Sequence, residues 1–118
     1  MRIKNLTCDH CGRPIRTISE GWLEYLVKQH AGSEKKSQLK KIRITHAARA
    51  FDPPNTKCMT QEVKTKEGWI RLDNHLCSFT GKEGLKGLLG MADWLEIENV
   101  PEYLDVVLRL HSENYVKE

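Results

Sequence analysis

An α+β fold is what this sequence predicts: N-terminal β-hairpins carrying a zinc knuckle, with two C-terminal helices packed on the sheet. Three observations carry that expectation. A Cys-x-x-Cys pair followed at once by Gly and by Pro lies near the start, in the string CDHCGRPI. Short β-branched or alternating runs, punctuated by turn residues, fill the first 72 positions. Two stretches of helical apolar period, each opened by a capping signal, occupy the last third. The 118 residues suit one domain, 1–118, mainly β over 1–72 and mainly helical over 73–118.

Taken in order, 3–6 and 15–18 suit two short strands flanking the knuckle. Ser19-Glu20-Gly21 is a turn signal, and 21–27 (GWLEYLV) reads as a strand by its aromatic and β-branched content. The same run could form a helical turn through Trp22 and Leu26, but the preceding turn makes a hairpin the natural reading. Residues 30–41 are polar without apolar period and read as a loop. A strand follows over 42–48. Pro53-Pro54 then breaks the chain, since two successive prolines remove two backbone donors. Residues 63–65 and 69–72 flank Lys66-Glu67-Gly68 as a second hairpin.

The helical third opens at Thr80-Gly81-Lys82-Glu83, a capping-box pattern, with Leu85, Leu88, Leu89 and Ala92 on one face. Asn99-Val100-Pro101-Glu102 opens the second helix, whose apolar stripe reads Leu104, Val107, Leu108 and His111. His111 on that stripe suits a core or interface position. Gly81, Gly84, Gly87 and Gly90 recur every third residue. Close backbone approach explains them better than a phosphate-binding helix start with Lys82 and Lys86, because GKEGLKG lacks the P-loop order.

Cys8, Cys11, Cys58 and Cys77 are the only cysteines. Two residues between Cys8 and Cys11 let one tight turn aim both sulfurs at a tetrahedral ion. Gly12 supplies the left-handed backbone and Pro14 stiffens the exit. A thioredoxin-like dithiol needs a preceding βα element, for which eight residues leave no room. The remaining ligands come from Cys58, Cys77, His30, His46 and His75. Cys58 and Cys77 complete a four-thiolate set, whereas His46, at the end of the alternating run 41–46, reads as a packed residue. A closed thiolate-rich site implies structural Zn2+.

Composition excludes several classes. With 30% charged and 39% hydrophobic residues the chain suits neither an acidic disordered protein nor a membrane-embedded one. No apolar run reaches the ~20 residues of a span, and no signal-peptide core follows Met1, so a cytoplasmic setting without membrane contact is expected. Charge is uneven: residues 1–50 hold 11 Lys and Arg against 4 Asp and Glu, residues 51–118 hold 8 against 12. Arg13, Arg16, Lys35, Lys36, Lys40, Lys41 and Arg43 form the basic excess, a candidate nucleic-acid contact beside the knuckle. Trp22 and Tyr25 could add stacking surface. The acidic run 93–102, with Trp94 and Leu95 inside it, suits instead a host or regulatory protein partner or a homodimer.

No nucleophile elbow or reactive-cysteine context is present. A metal-dependent hydrolase or nuclease would have to use His46 as ligand and His75 as general base. Gly21-Trp22-Leu23-Glu24-Tyr25, Ile42-Arg43-Ile44-Thr45-His46, His75-Leu76, Phe79-Thr80-Gly81-Lys82-Glu83-Gly84-Leu85 and Leu108-Arg109-Leu110-His111 together resemble small uncharacterised proteins of Gram-positive bacteria, their phages and mobile elements. That resemblance implies a cytoplasmic setting and carries no activity. The residues lead to a zinc-stabilised binding or regulatory protein contacting nucleic acid. A phage- or mobile-element-encoded inhibitor or adaptor that binds protein is the second reading, and the hydrolase the third.

Overall fold

The computed structural model describes residues 6–29, 37–47, 58 and 67–111. Four strands form one sheet in the order β3-β1-β2-β4: β1 Gly21–Lys28, β2 Ser37–His46, β3 Ile70–His75 and β4 Leu95–Ile97. β1 pairs antiparallel with β2 and β3, while β4 runs parallel to β2. Helices α1 (Gly81–Trp94) and α2 (Val100–His111) follow, so the class is α+β with its helices at the C-terminal end. Among these residues no helix is long and apolar enough to cross a membrane.

β1 is a strand, as its composition predicts. β2 begins at Ser37, so residues 37–41, expected in a loop, lie in the sheet. The reason is a bulge. Lys41 takes φ 53°, and the register slips between the Glu24–Arg43 and Leu26–Lys40 pairs. Leu39, Ile42 and Ile44 therefore all reach the core although their spacing is three and then two. The extra residue hides the period-2 signal that would have extended the strand. Trp69, expected in a strand, lies just ahead of β3, which pairs with β1; the hairpin arm at 63–65 lies outside the described residues. Of the strand expected over 3–6, residues 3–5 lie outside the described residues; among those described around the knuckle the pairing is the isolated Thr7–Pro14 bridge, and Ile18–Glu20 is a 3-10 turn rather than the end of a strand.

The outer edge of β2 is closed piece by piece. β4 pairs with Ser37, Gln38 and Leu39. Beyond β4, Glu102 Oε1 accepts the Ile42 amide at 3.2 Å and Asp9 Oδ2 accepts the Ile44 amide at 2.7 Å. The Asp9 amide in turn donates to the Ile44 carbonyl at 2.7 Å. An edge that would otherwise expose unpaired backbone is thus shared among β4, α2 and the knuckle.

The helices start as expected but not all in the expected way. Asn99 Oδ1 accepts the Glu102 amide at 3.1 Å, a side-chain cap for α2. At α1 the capping box does not form: the Thr80 hydroxyl donates to the Cys77 carbonyl at 3.4 Å, and Glu83 lies 3.6 Å from Lys86. A 3-10 turn at Leu76–Phe79 brings that carbonyl within reach. The predicted stripes also rotate. In α1, Gly84 and Leu88 are buried while Leu89 is exposed. In α2 the buried residues are Tyr103, Val106 and Leu110, with Leu104 and Leu108 outside. Apolar residues surround most of α2, so a face other than the predicted stripe was free to pack. The sheet takes the face with the aromatic ring, whose hydroxyl donates to the Leu88 carbonyl. His111 sits half-buried with Nε2 on the Phe79 carbonyl at 2.7 Å.

Of the recurring glycines, Gly84 is a point of close approach. A Cβ there would lie 2.1 Å from the Phe79 carbonyl carbon, backbone that cannot swing aside. Gly84→Ala is expected to destabilise the fold by about 1–3 kcal/mol through overpacking, although alanine is the better helix former. Gly87 faces open space, so Gly87→Ala is expected to stabilise by up to about 1 kcal/mol. Chemical denaturation of both variants checks the opposite signs.

Candidate metal centre

The knuckle is built by its own backbone. The Cys8 carbonyl accepts the Gly12 amide at 2.9 Å and the Cys8 amide donates to the Arg13 carbonyl at 2.9 Å. That tight turn requires Gly12 at φ 75°, where a side chain would be strained. The Ile15 amide then donates to the Leu6 carbonyl at 2.9 Å, and both side chains enter the core. The His10 amide lies 3.4 Å from Cys8 Sγ and donates to it.

The structure brings Cys8, Cys11, His46 and Cys58 together, each offering one donor atom, all within 4.8 Å of one another. His46 Nδ1 lies 3.3 Å from Cys11 Sγ and 3.9 Å from Cys58 Sγ. A tetrahedral zinc with ordinary Zn–S and Zn–N bonds separates such atoms by about 3.6 Å, which these two distances bracket. His46 Nε2 lies 3.0 Å from the Pro14 carbonyl. A carbonyl only accepts, so Nε2 carries the proton and the Nδ1 lone pair faces the sulfurs. An outer hydrogen bond that fixes ring and tautomer is the usual support of a metal-binding histidine.

All four cysteines are free thiols. Burial works to raise the Cys11 thiol, but hydrogen bonds from Arg13, and from Cys8 and Cys58, outweigh it and hold Cys11 at about 6. Burial, with Cys8 and Cys11 crowded beside it, pushes Cys58 up to about 12. Cys11 and Cys58 are thus pushed in opposite directions, as expected for crowded sulfurs that share, among the described residues, a single nearby cation, Arg13. A dication permits all three to ionise. Three thiolates around Zn2+ leave one net negative charge, and the Arg13 guanidinium stands beside Cys11 to offset it.

The donor set fits zinc: three sulfurs and one imidazole, buried or half-buried, with four protein ligands and therefore no position open to water. It is a structural zinc site. Cys8, Cys11 and Cys58 stand as expected. Cys77 does not belong to the set: it lies exposed on the 3-10 turn before α1, and His46 takes the fourth place. The alternating run that pointed His46 to a packed position was real, but it ends β2 at the edge where the knuckle docks. His46 is thus buried and a ligand at once. His30 lies outside the described residues.

The other candidates separate. Gly21 pairs with His46, and Trp22 pairs with His75. Successive residues alternate faces, so His46 and His75 stand on opposite sides of the sheet. His75 Nδ1 accepts from Trp22 Nε1 at 2.8 Å. The two histidines therefore do not form a shared hydrolytic site. Tyr25 is buried, its hydroxyl accepting from Asn74 at 2.8 Å, and offers no stacking surface.

Among the basic residues, Arg16 pairs with Glu20 at 3.2 Å and Arg43 with the fully buried Glu24 at 3.3 Å. The Lys40 ammonium sits 4.1 Å from the Trp69 ring centroid. Lys41 is exposed at the bulge, Arg13 is exposed beside the zinc site, and Lys35 and Lys36 lie outside the described residues. A comparison with protein-family models, with curated proteins and with solved structures finds no match to this chain.

Proposed function

We propose that this small zinc-stabilised protein is a docking module, an adaptor or inhibitor. It receives an amphipathic helix of another protein in the groove between α1, β4 and α2. One observation carries the reading. α2 has a second apolar stripe, Leu104 and Leu108, which together with Val100 and with Leu89 of α1 stays exposed after the core is complete. Leu89, Ala92, Leu95, Ile97, Leu104 and Val107 line a concave space of about 710 Å³ there. Isolated exposed leucines are ordinary on a protein surface; several converging on one concavity mark an interaction site. Zinc has no reactive role in this reading. It holds the knuckle against β2 and α2, and so fixes the wall of the groove.

The basic face offers a different partner, nucleic acid, through Arg13, Arg16 and Lys41. Its weakness is that Lys40 and Arg43 are engaged within the fold. An NMR titration separates the two. With the zinc-loaded protein and an 18-residue Leu/Lys amphipathic helical peptide, amide shifts are expected at Leu89, 95–97 and 100–108. Leu104→Asp, at an exposed position, is expected to leave Tm within a few degrees and weaken that peptide by about 30-fold or more. Binding unchanged in Leu104→Asp would refute the docking reading. Shifts at Arg13, Arg16 and Lys41 with a short DNA duplex, lost steeply as salt rises, would replace it with nucleic-acid contact.

A further inference from the structure

From the groove's charge we infer that its occupant is a cationic helix, apolar on one face and carrying Lys or Arg along the flanks. This rests on the docking reading above and names the partner's chemistry. Between Gly87 and Leu108 the chain holds Asp93, Glu96, Glu98, Glu102 and Asp105, and no Lys, Arg or His, in a protein of net charge +3. That same segment supplies most of the groove and every exposed apolar residue around it, including Trp94 at 80% exposure.

Two of the five carboxylates have structural work. Glu102 accepts the Ile42 amide and Asp105 lies 2.9 Å from Arg109. Asp93, Glu96 and Glu98 are exposed and make no ion pair with another described residue. Glu96 lines the groove itself, and the other two stand on either side of it in the chain. Among the described residues the segment 87–108 flanks this apolar floor with carboxylates alone, and such a flank attracts the opposite sign and repels its own, which sets partner choice and encounter rate more than raw affinity. A helix suits the space better than an added strand. β4 is only three residues long, too short to template a stable pair, whereas anchors at i, i+3 or i+4 and i+7 follow a groove between two helices.

The test uses the zinc-loaded full chain and two labelled peptides with the same leucine face, one flanked by lysines and one by glutamates, read by fluorescence anisotropy. The Leu/Lys peptide is expected to bind at least about ten-fold more tightly than the Leu/Glu peptide. The exposed triple variant Asp93→Asn, Glu96→Gln, Glu98→Gln is expected to remove that preference while keeping Tm. Equal binding of both peptides by the wild-type protein, or a preference that survives the triple variant, overturns the cationic partner. If Leu104→Asp still abolishes binding in that case, the groove reading stands without it. Loss of neither peptide in Leu104→Asp sinks the groove as well. Sedimentation showing a wild-type dimer that Leu104→Asp dissociates, with no peptide bound, would make the occupant a second copy and overturn the proposal.

Discussion

Protein purified without added metal is expected to carry one zinc per chain, and stripping it with a chelator is expected to unfold the β portion. Structural zinc in small domains contributes on the order of 10–16 kcal/mol at neutral pH, whereas a whole domain is stable by only about 5–15 kcal/mol. The segment 6–20 shows why the loss cannot be absorbed here. It buries Leu6, Cys8, Ile15 and Ile18, yet its regular structure amounts to one isolated bridge and a 3-10 turn. Apart from the Asp9 contacts with Ile44 and Arg109, what would hold it down is an ion tying Cys8 and Cys11 to His46 of β2 and to Cys58, 50 positions away in the chain from Cys8. The variants discriminate between ligand sets. Cys58→Ser and His46→Ala are expected to lose zinc and lower Tm by more than about 10 °C, while Cys77→Ser keeps full stoichiometry and Tm. Acid should release the metal, because three thiolates must stay deprotonated to hold it. Zinc retained in His46→Ala but lost in Cys77→Ser would restore the four-thiolate set.

How far the sequence discloses this arrangement depends on the range of each signal. The knuckle is local: Cys8, Cys11, Gly12 and Pro14 are contiguous, and their spacing alone predicts a turn around a metal. The fourth ligand is not local. His46 and Cys77 carry the same sequence-level information, a donor at some distance from the turn. Only the sheet register, which sets His46 opposite Gly21 at the end of β2, decides between them. The Pro14 carbonyl that fixes the ring is a backbone group and leaves no signature in residue types. The bulge at Lys41 hid part of a strand for a related reason, since a single left-handed lysine is invisible to a period count. β4 was missed because three residues between helices are too few to show alternation. For α2 the period predicted a single stripe, Leu104, Val107, Leu108 and His111, whereas the core takes Tyr103, Val106 and Leu110 and leaves Leu104 and Leu108 outward. The outward face is the more informative for function, because the core had no use for it.

Asp9→Ala is the second substitution expected to have a large effect, although Asp9 binds no metal. It stands between the two knuckle cysteines, and its carboxylate collects three donors. Oδ2 accepts the Ile44 amide at 2.7 Å, and the Arg109 guanidinium grips both oxygens at 2.9 and 3.0 Å. The Arg109 side chain is 13% exposed, so the fork is partly desolvated; removal of its anion leaves Arg109 with Asp105 alone, at 2.9 Å, and takes the side-chain acceptor from a strand-edge amide. The expected cost is about 2–4 kcal/mol, more than an exposed ion pair would give. Asp9→Asn, which keeps one acceptor, should cost less. Through Asp9 the zinc knuckle is joined to α2 by a bidentate bond spanning 100 positions of chain, and linkage makes the coupling reciprocal. Asp9→Ala is therefore expected to weaken zinc affinity, and partial metal removal from the wild-type protein should speed amide exchange around Arg109 as well as at Ile44. Exchange confined to the knuckle on metal loss, with α2 unchanged, would mean that the two halves are held independently and that zinc does not fix the wall of the groove.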